Sequence, residues 1–259
     1  LPPGPAIDFS VGLTYNEYLS GNHRFPRIWG NILLLSAPHG AAERGIYMRF
    51  HTAVFDLDGT AVNSHYNIDA LQMTCIELLD REATDEELKI TYGMTAVNAM
   101  RYLGVPEDQL ETFGNRWLEH IMRLAKHATL FDGIYPTMCR MHEAGIRLGI
   151  NTSRRDDELG DLHHYIREPF LELCSVIVTC DKVSNPKPAP DSMLYYCEQT
   201  GLAPAQVLFV GDSEFDAGCA QNAGCDFALA TWGCFFPDQI PAQYKPQTPQ
   251  ELLEIVGIK

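Results

Sequence analysis

The sequence lacks several features that would mark a membrane, secreted or nucleic-acid-binding protein. No segment approaches the roughly 18 consecutive apolar residues of a membrane-spanning helix, and the first 30 residues lack the basic start and apolar core of a secretory signal. Basic residues are scarce, with 19 Lys and Arg against 34 Asp and Glu and a net charge of −15. So acidic a chain repels nucleic acid and anionic membrane surfaces. We therefore expect neither as a partner, and any anionic ligand must be held by individual cations.

Paired metal-binding cysteines are also missing. The eight cysteines form no Cys-x-x-Cys pair, and no Cys/His cluster has zinc-finger spacing. Reduced, mostly buried thiols in a cytoplasmic protein are the expected result. The 46% of hydrophobic residues and the length of 259 residues fit a globular core domain with a smaller inserted or appended module. The oligomeric state cannot be predicted from this composition.

The N-terminal part of the chain differs from the rest. Residues 1–47 are rich in Gly, Pro and aromatic residues and show little sustained periodicity. We expect an accessory segment that packs on the main domain and has no catalytic role.

From residue 48 onward, short apolar runs alternate with helical patterns, which is typical of an open, Rossmann-like α/β sheet flanked by helices. The predicted strands are 52–55, 147–150, 176–178, 207–210 and 227–229, and the predicted helices between them are 134–144, 156–167, 190–199 and 214–223. No strand is predicted between Thr60 and the helix that contains Pro136. That interval is too long for a simple crossover. We therefore predict a small helical cap at 66–130, inserted into a catalytic core made of 48–65 and 131–259.

The most informative segment is the run Val54-Phe55-Asp56-Leu57-Asp58-Gly59-Thr60. Side chains at i and i+2 of a strand share a face, so Asp56 and Asp58 should emerge together where the first strand ends. Two such carboxylates repel each other unless a cation or a shared proton lies between them. Hard oxygen ligands favour Mg²⁺.

Polar residues also follow the other predicted strands. Because ligands gather at the carboxyl ends of the strands in an open α/β sheet, these residues should meet at one edge. They are Asn151-Thr152-Ser153 after the second strand, Gly211-Asp212-Ser213-Glu214-Phe215-Asp216 after the fourth, and Lys187 in the proline-rich run 185–190 near the third. Together they supply carboxylates for a cation, a hydroxyl and a lysine for an anion, and a candidate nucleophile.

In chain order, the four motifs contain Asp56, Thr152, Lys187 and Asp212. This ordered set resembles the haloacid dehalogenase-like hydrolase superfamily, and specifically its phosphoglycolate phosphatase-like branch. The resemblance covers residues 50 to about 235. It implies a Rossmann-like core, a helical cap after the first motif, and Mg²⁺-dependent phosphoryl transfer to water from a small phosphorylated metabolite, phosphoglycolate-like or a sugar phosphate.

The resemblance also implies a role for each matching residue. Asp56 would be the nucleophile that forms an aspartyl-phosphate, and its carboxylate would bind Mg²⁺ together with Asp212 and the backbone carbonyl of Asp58. Asp58 would protonate the leaving group and then activate water. The phosphate would be bound by Thr152, Ser153 and Lys187, and Asp216 would support the site through Lys187 or a water ligand of the metal.

Several alternatives stay open. The motifs do not separate a phosphatase from a β-phosphoglucomutase-like sugar-phosphate mutase, and a binding or regulatory protein without turnover could keep the same fold. In the cap loop, Tyr92, Met94 and Thr95 could contact substrate or could simply pack at a helix junction. Arg154 and Arg155 could reach an anionic group of a substrate, although a solvated pair at a helix start is the favoured interpretation. His163-His164 is interpreted as a polar helix face.

Overall fold

The computed structural model describes residues 49–156, 158–159 and 165–259. The predicted accessory segment 1–47 lies outside the described residues. So do residues 157 and 160–164 of the predicted helix at 156–167, which include the pair His163-His164.

A parallel five-stranded sheet forms the centre of the molecule, as the sequence predicts. The strands are β1 (Thr52–Phe55), β2 (Val62–Asn63), β3 (Thr129–Leu130), β4 (Arg147–Asn151), β5 (Cys174–Val178), β6 (Val207–Gly211) and β7 (Asp226–Leu229). The large sheet has the order β5-β4-β1-β6-β7, and all its pairs are parallel. β1 therefore lies at the centre, between β4 and β6.

Eight helices are described around and beside this sheet. They are α1 (Tyr66–Leu79), α2 (Asp85–Thr91), α3 (Ala96–Tyr102), α4 (Leu110–Leu124), α5 (Ile134–Glu143), α6 (Asp191–Thr200), α7 (Glu214–Ala223) and α8 (Glu251–Ile255). The described part of the chain contains no helix long and apolar enough to cross a membrane.

The central strand is buried on both faces. Ala53 and Phe55 belong to one apolar cluster, which also contains residues of α5 and α8, whereas Val54 belongs to a second cluster with residues of α6 and α7. Alternate side chains of a strand point to opposite faces. A parallel strand covered by helices on both sides is therefore a continuous apolar run, which is how β1 reads in the sequence.

Helices α1 to α4 make their own apolar cluster, which includes Leu71 of α1, Leu88 of α2, Met100 of α3 and Phe113 of α4. α2 begins at a capping box, in which the Thr84 hydroxyl accepts the backbone N–H of Glu87 and the Glu87 carboxylate accepts that of Thr84. These helices occupy the interval where the sequence predicts an inserted module.

The prediction that this interval contains no strand is wrong in one respect. β2 and β3 form a short antiparallel pair, with Val62 opposite Leu130 and Asn63 opposite Thr129. Each strand is only two residues long, so neither produces a recognisable alternating pattern in the sequence. The pair holds the two ends of the helical segment side by side.

Candidate active site

The predicted site residues meet at the carboxyl edge of the sheet. Asp56 follows β1, Thr152 follows β4 and Asp212 follows β6. Because β1 pairs with both β4 and β6, these three residues leave neighbouring strands at the same edge. All three are buried.

Lys187 connects two carboxylates in this cluster. Its ammonium donates to Asp56 Oδ1 at 2.7 Å and to Asp216 Oδ1 at 2.6 Å, and it lies 3.4 Å from the carbonyl oxygen of Asn151. The Lys187 side chain is only 5% exposed. Burial alone would lower the pKa of Lys187, but Asp216 and Asp56 outweigh it and raise that pKa above its ordinary value. Lys187 is thus held as a cation beside the candidate nucleophile.

Three carboxylates converge at this point. Oxygen atoms of Asp56, Asp212 and Asp216 lie within 4.8 Å of one another. Burial, opposed by Lys187 and reinforced by Asp216, raises the pKa of Asp56 to about 7. Burial and the same neighbouring carboxylates raise the pKa of Asp212 well above its usual range. A cation bound between these carboxylates would oppose both shifts in pKa.

The three carboxylates differ in how many of their oxygens accept hydrogen bonds. Both oxygens of Asp216 are engaged, Oδ1 by Lys187 and Oδ2 by the backbone N–H and hydroxyl of Ser213, which begins α7. Asp212 accepts one hydrogen bond, from the Thr60 hydroxyl to Oδ1 at 2.9 Å. Buried carboxylate oxygens at this spacing could hold a Mg²⁺ ion, for which Asp56 and Asp212 would be the direct ligands while Asp216 fixes Lys187.

Gly59 and Gly233 allow the turn after Asp58 to approach this cluster. Gly59 has φ +81°, and a Cβ at this position would overlap the carboxylate of Asp212. A Cβ at Gly233 would overlap the carbonyl oxygen of Gly59. Next to Gly233, Trp232 donates its indole N–H to the carbonyl oxygen of Thr60 at 2.9 Å. The loop after β7 thus holds the Gly59-Thr60 turn from the side opposite Asp212.

The Asp58 carboxylate contacts Arg154. Both of its oxygens accept hydrogen bonds from Arg154, Oδ2 from Nε at 2.6 Å and Oδ1 from Nη2 at 2.7 Å. Burial alone would raise the pKa of Asp58, but the Arg154 guanidinium outweighs it and lowers that pKa below its usual range. The interpretation of Arg154 as part of a solvated pair is therefore wrong, since its side chain is 15% exposed and ion-paired. The one signal in the sequence was its position two residues after Thr152.

Thr152 and Ser153 lie beside this ion pair. The Thr152 hydroxyl oxygen accepts the backbone N–H of Arg154 at 3.1 Å, and the Thr152 N–H donates to the Val178 carbonyl at 2.9 Å. Ser153 lines the cavity above the carboxylates. Ser153 thus lines the same cavity as Asp56 and Lys187.

A cavity of about 160 Å³ separates the carboxylate cluster from the helical module. Its floor contains Asp56, Asp58, Lys187, Asp212 and Arg154. We call the opposite side the roof; its residues come from α1, α2, α4 and the loop after α2, and include Asn67, Ile68, Leu71, Leu88, Trp117, Leu118 and Ile121. A small ligand enclosed here would contact charged groups on one side and largely apolar groups on the other.

The three cap-loop candidates have different surroundings. Met94 lines the cavity. Tyr92 also lines it, but its hydroxyl lies 2.8 Å from that of Ser64 and its ring packs against His65 and Phe235. Thr95 precedes α3 and is not among the described residues that line the cavity. No pattern in the sequence indicates the contact with Phe235, which is distant along the chain.

The fold agrees with comparisons against known proteins. The family model described as "Haloacid dehalogenase-like hydrolase" matches residues 53–230. The chain belongs to this hydrolase family, and the predicted resemblance is confirmed.

Two named phosphatases and one solved structure are similar to this chain. The N-acetylmuramic acid 6-phosphate phosphatase of Pseudomonas aeruginosa is 26% identical over 221 residues, covering 81% of this chain and 96% of the relative. The phosphoglycolate phosphatase of Escherichia coli K12 is 26% identical over 232 residues, covering 79% and 91%. A crystal structure from Lactobacillus plantarum, provisionally described as a phosphoglycolate phosphatase, has a TM-score of 0.72 and 28% identity, covering 80% of this chain and 100% of that one.

Proposed function

We propose that this protein is a Mg²⁺-dependent phosphatase that hydrolyses a small phosphorylated metabolite through an aspartyl-phosphate. The observation that carries the proposal is the buried Asp56 carboxylate, which contacts Lys187 at 2.7 Å and lies beside Asp212. A carboxylate can attack an anionic phosphoryl group only where positive charge offsets the repulsion. The names of the relatives, all of them phosphatases, support the same reaction.

In the first step, an Asp56 oxygen attacks phosphorus and the bond from phosphorus to the ester oxygen breaks. Asp58 must hold a proton at this step, and it gives that proton to the departing alkoxide, which leaves as the alcohol. In the second step, a water molecule loses a proton to Asp58 and attacks phosphorus. The bond from phosphorus to Asp56 then breaks, so that inorganic phosphate leaves and both carboxyl groups return to their starting forms.

The surrounding residues bind and orient the phosphoryl group. Lys187 offsets the negative charge of Asp56 and of the phosphoryl oxygens, and Asp216 fixes its position. The Thr152 hydroxyl and the Ser153 backbone N–H donate to phosphoryl oxygens. When bound by Asp56 and Asp212, and in addition by the Asp58 carbonyl, Mg²⁺ supplies further positive charge for the equatorial oxygens.

Three further assignments belong to this proposal. Residues 48–65 and 131–259 form the catalytic core, residues 66–130 form the cap, and residues 1–47 are accessory. The substrate is phosphoglycolate-like or a sugar phosphate, in keeping with a cavity smaller than those that bind drug-sized ligands. We place the protein in the cytoplasm, because all eight cysteines are free thiols.

The proposal is tested by measuring phosphate release with and without Mg²⁺ from phosphorylated acids of two and three carbons, sugar phosphates, nucleotides and pyrophosphate. We expect Mg²⁺-dependent hydrolysis of at least one small ester, and Asp56→Asn to abolish both turnover and trapping of a phosphorylated enzyme. The matched control is Asp238→Asn, an exposed carboxylate outside the cavity. Failure to hydrolyse any ester, or full activity of Asp56→Asn, would overturn the proposal. Conversion of glucose 1-phosphate to glucose 6-phosphate would identify a mutase instead.

A further inference from the structure

Arg154 and Asp58 form a closed pair inside the cavity. The guanidinium binds both carboxylate oxygens, at 2.6 and 2.7 Å, and the two side chains are only 15% and 20% exposed. A charge-assisted pair with two parallel hydrogen bonds is among the stronger polar contacts in proteins. It also fixes the direction in which the carboxylate faces.

This pair conflicts with the proton transfer that the proposed phosphatase reaction assigns to Asp58. To exchange a proton with the ester oxygen, an Asp58 oxygen must come within hydrogen-bond distance of that oxygen. In the structure both Asp58 oxygens face the Arg154 guanidinium. The pair must therefore open before Asp58 can turn to the leaving group, and Arg154 would then be a buried cation in need of another anion.

Glu158 also lines the cavity, but it acts on Arg154 less strongly than Asp58 does. The substrate is therefore the natural source of that anion. Of the cavity-lining residues that the structure describes, the basic ones are Arg154 and Lys187, and Lys187 is already bound to Asp56 and Asp216. The roof offers apolar side chains such as Leu88, Leu118 and Ile121. A negatively charged group on the leaving-group side of a substrate would therefore bind at Arg154.

The position of Arg154 also limits the length of the substrate. Its backbone N–H binds the hydroxyl oxygen of Thr152, the residue that we assign to the phosphate. The guanidinium thus belongs to a residue two positions after the one assigned to the phosphate, and the whole cavity measures about 160 Å³. A phosphate and a second anionic group that bind here must be separated by a short carbon chain.

We propose that Arg154 selects the substrate by its carboxylate, and that a short phosphorylated carboxylic acid takes the guanidinium from Asp58 and so releases Asp58 for proton transfer. The substrate carboxylate then neutralises the buried guanidinium in place of Asp58. The role assigned to Asp58 in this inference rests on the proposed phosphatase function. A phosphate ester whose leaving group carries no charge would bind without opening the pair and would react slowly.

The test compares two pairs of Mg²⁺-dependent substrates that differ only in the group at one end. These are phosphoglycolate against 2-hydroxyethyl phosphate, and 3-phosphoglycerate against glycerol 3-phosphate. We expect wild-type kcat/KM to favour the acid of at least one pair by about 10- to 100-fold, the effect of hydrogen bonds to a charged group. Arg154→Gln should remove this preference by slowing the acids more than the esters with an uncharged leaving group. Arg154→Lys should restore part of the preference. The control is Arg167→Gln, an exposed arginine outside the cavity.

A second measurement separates carboxylate exchange from simple support of the fold. Acetate should occupy the guanidinium and accelerate wild-type hydrolysis of 2-hydroxyethyl phosphate, and it should have no such effect on Arg154→Gln. Equal wild-type rates within both pairs, or equal slowing of acids and neutral esters in Arg154→Gln, would overturn the inference.

Binding to the Asp56→Asn variant, measured by calorimetry with Mg²⁺ present, keeps this inference distinct from the proposed function. We expect it to bind phosphoglycolate at least about 10-fold more tightly than 2-hydroxyethyl phosphate, and Arg154→Gln in that background to abolish the difference. If the wild-type protein hydrolyses no phosphate ester while Asp56→Asn shows the Arg154-dependent preference, the phosphatase proposal is overturned and carboxylate recognition is retained. Equal affinities for the two ligands would overturn carboxylate recognition itself.

Discussion

The ammonium of Lys187 lies 2.7 Å from Oδ1 of Asp56, although the two residues are 131 positions apart in the chain. The contact brings together the loop before α6 and the end of β1. Both side chains are buried, and Lys187 also contacts Asp216. Removing one partner would leave a buried charge without its counterion, so the contact matters for the fold as well as for the proposed chemistry.

Replacing Lys187 by Ala should reduce both activity and stability. The substitution removes the cation from the cluster of Asp56, Asp212 and Asp216. Removing one partner of a buried ion pair costs about 3–5 kcal/mol of unfolding free energy. We expect kcat to fall by about 10²- to 10³-fold, as when one stabilising donor to a transition state is removed. Urea denaturation and phosphate-release kinetics measure the two effects. Lys126→Ala, at an exposed lysine of the cap, is the control. Near wild-type turnover in Lys187→Ala would contradict the role of this residue.

Gly59 and Gly104 offer a matched pair for testing the turn beneath Asp212. Both have φ +81°, so an alanine at either should cost about 1–2 kcal/mol through its left-handed backbone. A Cβ meets the Asp212 carboxylate at Gly59 and nothing within 4 Å at Gly104. We expect Gly59→Ala to weaken Mg²⁺ activation of phosphate release by at least about 10-fold, as for loss of a group that orients a ligand, and Gly104→Ala to keep it. Equal Mg²⁺ titrations of the two variants would show that Asp212 tolerates displacement.

The raised pKa of Asp56 predicts how pH and Mg²⁺ act together on stability. This pKa is about 7 in the folded protein against 3.8 as the reference value, so the folded state holds the proton more tightly than the unfolded state does. Through this group, the unfolding free energy of the metal-free protein should fall as the pH rises from about 4 to about 7. Mg²⁺ binds the ionised carboxylates, so its stabilising effect should grow over the same range.

The measurement is the melting temperature with EDTA and with saturating MgCl₂, at about pH 5 and about pH 8. We expect a larger Mg²⁺-induced increase at the higher pH, and its loss in Asp212→Asn but not in Asp238→Asn. An increase of the same size at both values would mean that protons and Mg²⁺ do not compete at this site.

Tyr92 should act mainly as a packing residue that ties the cap loop to the core. Its hydroxyl lies 2.8 Å from that of Ser64, and such a bond contributes about 0.5–1.5 kcal/mol. We expect Tyr92→Phe and Ser64→Ala to lower stability by similar amounts and the double variant to lose little more. Urea denaturation of the four proteins gives the coupling free energy. A changed substrate order in Tyr92→Phe, with unchanged stability, would instead make Tyr92 a specificity residue.

The sheet and the carboxylate cluster were predictable because each depends on a local pattern. Short apolar runs mark β1, β4 and β6, and their shared carboxyl edge places the residues that follow them in one region. The positions of Asp56, Lys187 and Asp212 relative to one another follow from that edge and from the order of the motifs. The shared sheet edge and the order of the motifs are sufficient to predict that these residues meet.

The contacts that sequence reasoning did not find depend on how separate elements pack. Whether Arg154 faces solvent or Asp58 is decided by the path of the chain after β4, which no periodicity encodes. The two-residue strands β2 and β3 are too short to give an alternating signal. The packing of Phe235 on Tyr92 joins a loop after β7 to the cap, so it appears only when the fold is complete.

The pairing of Val62 with Leu130 and of Asn63 with Thr129 has a consequence for the history of such proteins. Joining two distant points of a chain costs entropy that rises only slowly with the length of the loop between them. Here the ends of the intervening segment are fixed next to each other by this pairing, outside the large sheet. A longer, shorter or unrelated segment can therefore replace the helices between them without altering the register of β1, so the enzyme can acquire a new substrate while its chemistry is inherited unchanged.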